Sequence, residues 1–180
     1  MNIFSKILTS ALAVSTIVAT APRAEANNVD PGHMNLVRAI RSTGTSLVIN
    51  DPRCDERPTW GWYSSKNAEI VICQEYRRRG FGYRHEVNWS AEDFDTLRHE
   101  AQHLIQDCMD GRRNGRLESV YNDPIRLAKD TLSGRKINWI INDGYAEASD
   151  HVKVLELEAF SVAALNQPVV QAGDIRTYCF

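Results

Sequence analysis

The stretch from Ser90 to Gly111 constrains this chain more than any other, because it reads as one amphipathic helix with marked ends and a chemically loaded face. Ser90 followed three residues later by Asp93 is a capping-box-like start, and Asp110-Gly111 supplies a glycine for the left-handed conformation that ends helices. With His99 at the origin of a helical wheel, Thr96, His103 and Gln106 fall beside it. Phe94, Leu97, Ala101, Leu104, Ile105 and Cys108 take the opposite arc. Within the helix, Thr96-Leu97-Arg98-His99-Glu100-Ala101-Gln102-His103 contains H-E-x-x-H. Histidines four apart share one side of a helix, and the carboxylate between them stands where a general base is needed, so the pattern predicts a Zn2+ site at His99 and His103 with Glu100 as the catalytic base.

Residues 1–26 read as a signal peptide. Lys6 gives a positive start, Ile7 to Thr20 is a short apolar run, and Ala24-Glu25-Ala26 is an A-x-A cleavage signal before Asn27. The apolar run is too short and too rich in Ser and Thr to serve as a membrane anchor, so the expectation is a secreted or periplasmic protein whose residues 27–180 form a single domain. In an oxidising compartment four cysteines without a C-x-x-C pair predict two disulfides. Cys54 with Cys73 and Cys108 with Cys179 are the favoured pairs, the second tying the C-terminal tail to the end of the H-E-x-x-H helix.

The 21 basic and 23 acidic residues balance to −2, which gives no electrostatic footprint for nucleic acid. Arg77-Arg78-Arg79 and Arg112-Arg113 read as solvated faces or loops, and His33 and His85 as surface histidines without a partner at ligand spacing. A short helix from Met34 to Arg41 precedes strands at Ser46 to Asn50, Gly61 to Tyr63 and Ala68 to Cys73, a small antiparallel sheet ahead of the histidine helix. Asp123-Pro124 starts a helix to about Leu132 that Ser133-Gly134 ends. A last large helix is expected from Gly144 to Leu165, capped by Asn142-Asp143 and stopped by Gln167-Pro168, with an extended tail held by Cys179.

H-E-x-x-H supplies two protein ligands, and a catalytic zinc needs a third. Gln106 and Met109 stand where the H-E-x-x-H-x-x-G-x-x-H pattern requires glycine and histidine, so the third ligand comes from elsewhere. Glu156, Glu158, Asp143 and His151 are the candidates. Wheel geometry does not separate Glu156 from Glu158, since the last helix is apolar over most of its surface.

The order of Gly61-Trp62-Tyr63, Ala68 to Ile72, Thr96 to His103 and Glu156-Leu157-Glu158-Ala159-Phe160-Ser161-Val162-Ala163 resembles small zincin metallopeptidases of the gluzincin type. The resemblance implies an α+β, zincin-like fold, with a small antiparallel sheet packed on the H-E-x-x-H helix and a second, glutamate-bearing helix. It also implies Glu156 as third ligand, because Ala159 and Ala163 match the small-residue setting of that glutamate, and it implies hydrolysis of a peptide or protein substrate. The strand Ala68 to Cys73 would pair with the substrate backbone. Asn142-Asp143-Gly144 resembles the N-E-G setting of larger gluzincins with aspartate substituted, and Phe160 replaces the polar residue expected four positions after the ligand. Tyr145, His151 and Tyr121 are the candidates for the oxyanion donor. The contrasting expectation is an inactive exported domain that keeps the fold around a structural metal.

Overall fold

The computed structural model describes residues 28–57, 59–75 and 86–180; residues 1–26, expected to be a signal peptide, His85 and Arg77-Arg78-Arg79 lie outside them. The described chain runs α1 (Pro31–Ser42), β1 (Ser46–Ile49), β2 (Gly61–Ser64), β3 (Glu69–Ile72), α2 (Ala91–Met109), α3 (Pro124–Thr131), α4 (Gly134–Trp139), α5 (Asp150–Leu165) and α6 (Pro168–Tyr178). It is an α+β fold built around α2.

Each helix start has a local cause. Asp30 accepts hydrogen bonds from the amides of Gly32 and His33 with Pro31 at the first helical position, so α1 begins three residues before the expected Met34. Ser90 and Asp93 form the full reciprocal capping box of α2. The Ser133 hydroxyl accepts from the amide of Lys136 and opens α4, a helix where the sequence reads only a stop. A wide π turn over Ile140–Gly144 follows α4, and Ser149 caps α5. The last large helix therefore starts at Asp150 rather than Gly144, and Asp143 is an exposed turn residue, not a cap. Beyond Asn166 at φ 50°, Pro168 sits at the first position of α6, so the tail is helical rather than extended.

The sheet corrects the expected antiparallel arrangement. Its order is β1-β3-β2, with β1 parallel and β2 antiparallel to β3, so it is mixed. Ile70, Val71 and Ile72 are fully buried, and this non-alternating strand takes the centre. The β1–β2 link passes over the end of β3, where Asn50 N–H donates to Ile72 O, Cys73 N–H donates to Trp60 O, and the Cys54–Cys73 disulfide joins link to strand. The second disulfide, Cys108–Cys179, joins the end of α2 to the end of α6, so both favoured pairings are present and no cysteine is free.

One face of α2 packs Leu97, Ala101, Leu104 and Ile105 against α1, α6 and the sheet. Its other side meets α5, behind which Ala128, Ile140 and Leu157 form a smaller core with α3 and α4. Arg98, 6 % exposed, spans these layers: Nε donates to Ala163 O at 2.9 Å, Nη2 pairs with Asp95 at 3.2 Å, and Nη1 donates to His33 Nε2 at 2.8 Å. His33 is 5 % exposed and donates from Nδ1 to Asp30, so it is an interior group rather than a surface one. No described helix is long and apolar enough to cross a membrane.

Candidate metal centre

One helical turn separates His99 from His103, and their Nε2 atoms stand 3.1 Å apart. From α5, Glu156 brings Oε2 to 3.3 Å from His99 Nε2 and Oε1 to 3.4 Å from His103 Nε2. Around Glu156 the same helix carries Ala159 and Ala163, both fully buried. Ligands held at about 2.0–2.1 Å around a tetrahedral ion stand about 3.3 Å from one another; the histidine pair and each histidine–carboxylate contact fall near that spacing, the two contacts to Glu156 being made by different oxygens. His99, His103 and Glu156 are each under one-tenth exposed and form a group able to hold a metal ion.

The charges agree with that donor set. Burial alone would raise the Glu156 carboxyl, but the hydrogen bonds and charges of His103 and His99 hold it well below the usual carboxylate range. Burial would likewise lower His103, yet Glu156, Glu100 and the Gln106 contact raise it to about 9. A buried carboxylate facing two imidazole nitrogens requires positive charge at that point, from protons or from a metal.

Gln106 orients one of the two histidines. His103 donates from Nδ1 to Gln106 Oε1 at 2.8 Å, leaving the Nε2 lone pair directed at the centre, while the Gln106 amide donates to Leu155 O and to Glu158 Oε1. His99 has no such support: its Nδ1 is buried without a partner among the described residues, and Phe160 packs on its ring with centroids 4.3 Å apart. The aromatic residue in place of a polar one thus leaves His99 positioned by packing on Phe160 and by its Nε2 contact to Glu156.

Glu100 is 6 % exposed. Burial, with Glu156 adding to it, raises its pKa above the ordinary carboxyl value, against the charges of His99 and His103 and a hydrogen bond from the Tyr63 amide of β2. β2 comes this near because residue 61 is glycine. A Cβ there would lie 2.6 Å from Val71 O, 2.7 Å from Thr96 Cγ2 and 3.5 Å from Glu100 Cγ. The strand expected to pair with substrate, Ala68 to Cys73, is central and engaged on both edges, and the open edge beside the centre belongs to β2.

The remaining candidates lie elsewhere. Glu158 is fully buried on another side of α5, where Gln102, Gln106, Ser119 and the amides of Val120 and Tyr121 donate to it. It anchors segment 119–121. Asp143 is exposed, and His151 is an exposed residue whose Nε2 donates to Leu117 O at 2.9 Å. Tyr121 sits among Glu158, Asp174 and Tyr178, whereas Tyr145 faces Glu156. Burial first, then the charge and hydrogen bonding of Glu156, push the Tyr145 phenol far up, so it keeps its proton.

Two cavities flank the centre. One, of about 530 Å³, is lined by His99, Glu100 and Tyr145 with Trp60, Lys136 and Phe160. The other, of about 520 Å³, lies between residues 115–118 and the start of α5 and touches His103 and Glu156. Lys136, Trp139 and the orienting role of Gln106 were not readable from the motif. The cap at Ser133 was the one local signal for the helix that carries the first two.

A family model described as Domain of unknown function (DUF8637) matches residues 14–180. No curated protein and no solved structure matches the chain.

Proposed function

The chain belongs to the DUF8637 family, and we propose that it is an exported zinc-dependent metallopeptidase that hydrolyses peptide bonds. The observation that carries this reading is the convergence of His99 Nε2, His103 Nε2 and the Glu156 carboxylate at 3.1–3.4 Å, with Glu100 buried beside them. Two disulfides fit an oxidising compartment, and the reading of residues 1–26 as a cleaved leader supplies the route to it.

Bound by His99, His103 and Glu156, zinc would lower the pKa of a coordinated water towards neutrality and polarise a carbonyl oxygen. The steps of the chain's own residues follow from their positions. Glu100 takes a proton from the attacking water as its oxygen bonds to the carbonyl carbon. It then delivers that proton to the amine nitrogen as the carbon–nitrogen bond breaks. The raised pKa of Glu100 suits a group that must first accept a proton and then release it. Tyr145, protonated and facing the centre, would turn its single O–H from Glu156 to the carbonyl oxygen as negative charge collects there. Gln106 fixes the His103 ring throughout.

Elemental analysis of the purified protein, paired with peptide hydrolysis by the wild type and Glu100→Gln, tests this. One zinc per chain in both proteins is expected, with turnover in the variant reduced by at least about a hundredfold. Absence of stoichiometric zinc, or equal turnover by the variant, refutes the mechanism. Zinc without turnover in the wild type would leave an exported binding domain with a structural metal.

A further inference from the structure

Lys136 is the one lysine or arginine among the described residues that line the cavity holding His99, Glu100 and Tyr145. Its ammonium sits 3.8 Å from the centroid of Phe160 and 4.4 Å from that of Trp139. It makes no hydrogen bond or ion pair with any described residue, although the charges of Asp95, Glu92 and Glu156 reach it. Aromatic faces stabilise a cation but offer no anion to it, so a half-buried ammonium held this way keeps its hydrogen-bond donors for something else. The nearby acids do not serve. Asp95 is paired with Arg98 at 3.2 Å, and Glu92, which lines the same cavity, forms no ion pair with Lys136.

The location gives this cation a role at the centre. The ammonium and the His99 ring both pack on Phe160, at 3.8 Å and 4.3 Å from its centroid, which places Lys136 Nζ within about 8 Å of the His99 ring centre. An extended peptide advances about 3.3–3.6 Å per residue, so that reach spans one or two residues.

We propose that Lys136 is the specificity-determining residue of this site and binds a substrate carboxylate one or two residues from the scissile bond. The carboxylate is either the side chain of an acidic residue or the terminal carboxylate of the chain. The proposal rests on the metallopeptidase reading for its substrate, but recognition itself needs no turnover.

The test therefore measures binding, by calorimetry with the purified Glu100→Gln protein. Two matched pairs of blocked alanine peptides are titrated. In one, a single internal glutamate is compared with glutamine; in the other, a free C-terminal carboxylate is compared with its amide. In at least one pair the carboxylate member should bind tenfold or more tightly than its amide partner. Lys136→Met should abolish that difference while binding the amide members unchanged, and Lys136→Arg should retain it. The pair that discriminates identifies the source of the carboxylate. Equal affinities within both pairs, no binding of any peptide, or persistence of the preference in Lys136→Met overturns the proposal. Loss of the metallopeptidase reading would appear separately, as missing zinc or missing wild-type hydrolysis.

Discussion

Gln106 shows how much a single neutral side chain sets at this centre. It accepts from His103 Nδ1 and donates to Glu158 and to Leu155 O, so the His103 ring is anchored through the same buried network that holds segment 119–121. Removing such an orienting partner costs metal affinity without removing a ligand. Gln106→Leu should weaken zinc binding by about 10–100-fold, read by competition with a chromophoric chelator. An unchanged affinity would show that packing and the Glu156 contact hold His103 without Gln106. Glu156 and Glu158 make the complementary lesson. Two positions apart on α5, one faces the histidines and the other faces five donors, and both are buried. Their wheel positions were equivalent in the sequence because α5 is covered on almost every side. What separates them is the placement of α2 and of segment 119–121, which no local pattern encodes.

Among the elements, α2 is the most fully determined from sequence, since its cap, its apolar arc and its terminal glycine all lie within its own span. α4 and α6 escaped because their starts coincide with residues that also end helices, Ser133-Gly134 and Gln167-Pro168. The strand order escaped because pairing is a non-local choice, settled by which strand is apolar on both faces. The two disulfides stabilise elements unequally. Cys108–Cys179 closes 71 residues and Cys54–Cys73 closes 19, so chain entropy assigns about 4 kcal/mol to the first and about 3 kcal/mol to the second. Urea unfolding of the two double Cys→Ala variants should show the larger loss for Cys108 and Cys179, together with release of α6 from α2. The reverse order would locate the main constraint in the sheet.

The molecule as a whole is two layers hinged on α2, with α1, α6 and the sheet on one side and α3 to α5 on the other. Arg98 is the polar tie between them, and its bond to His33 fixes that imidazole as neutral: Nδ1 donates to Asp30 while Nε2 accepts from the guanidinium. Burial, with the Arg98 charge, lowers the His33 pKa below 6.5 against the pull of Asp30. A histidine lowered on folding binds fewer protons in the folded than in the unfolded chain. Its contribution to stability is therefore complete above about pH 6.5 and is lost as pH falls from there towards the lower folded value. Unfolding free energy should drop between pH 7.5 and 5, and His33→Gln should flatten that part of the profile. A slope unchanged in the variant would assign the pH dependence to other groups.

The excursion from Ser133 to Ser149 carries Lys136, Trp139 and Tyr145, whereas His99, His103, Glu100 and Glu156 all stand on α2 and α5. The candidate metal-binding set and Glu100 thus stand on the two long helices, while the cavity wall, Tyr145 included, comes from a separate stretch of chain. A change within residues 133–149 would therefore reshape the cavity wall while leaving the backbone that carries the histidines and Glu156 in place.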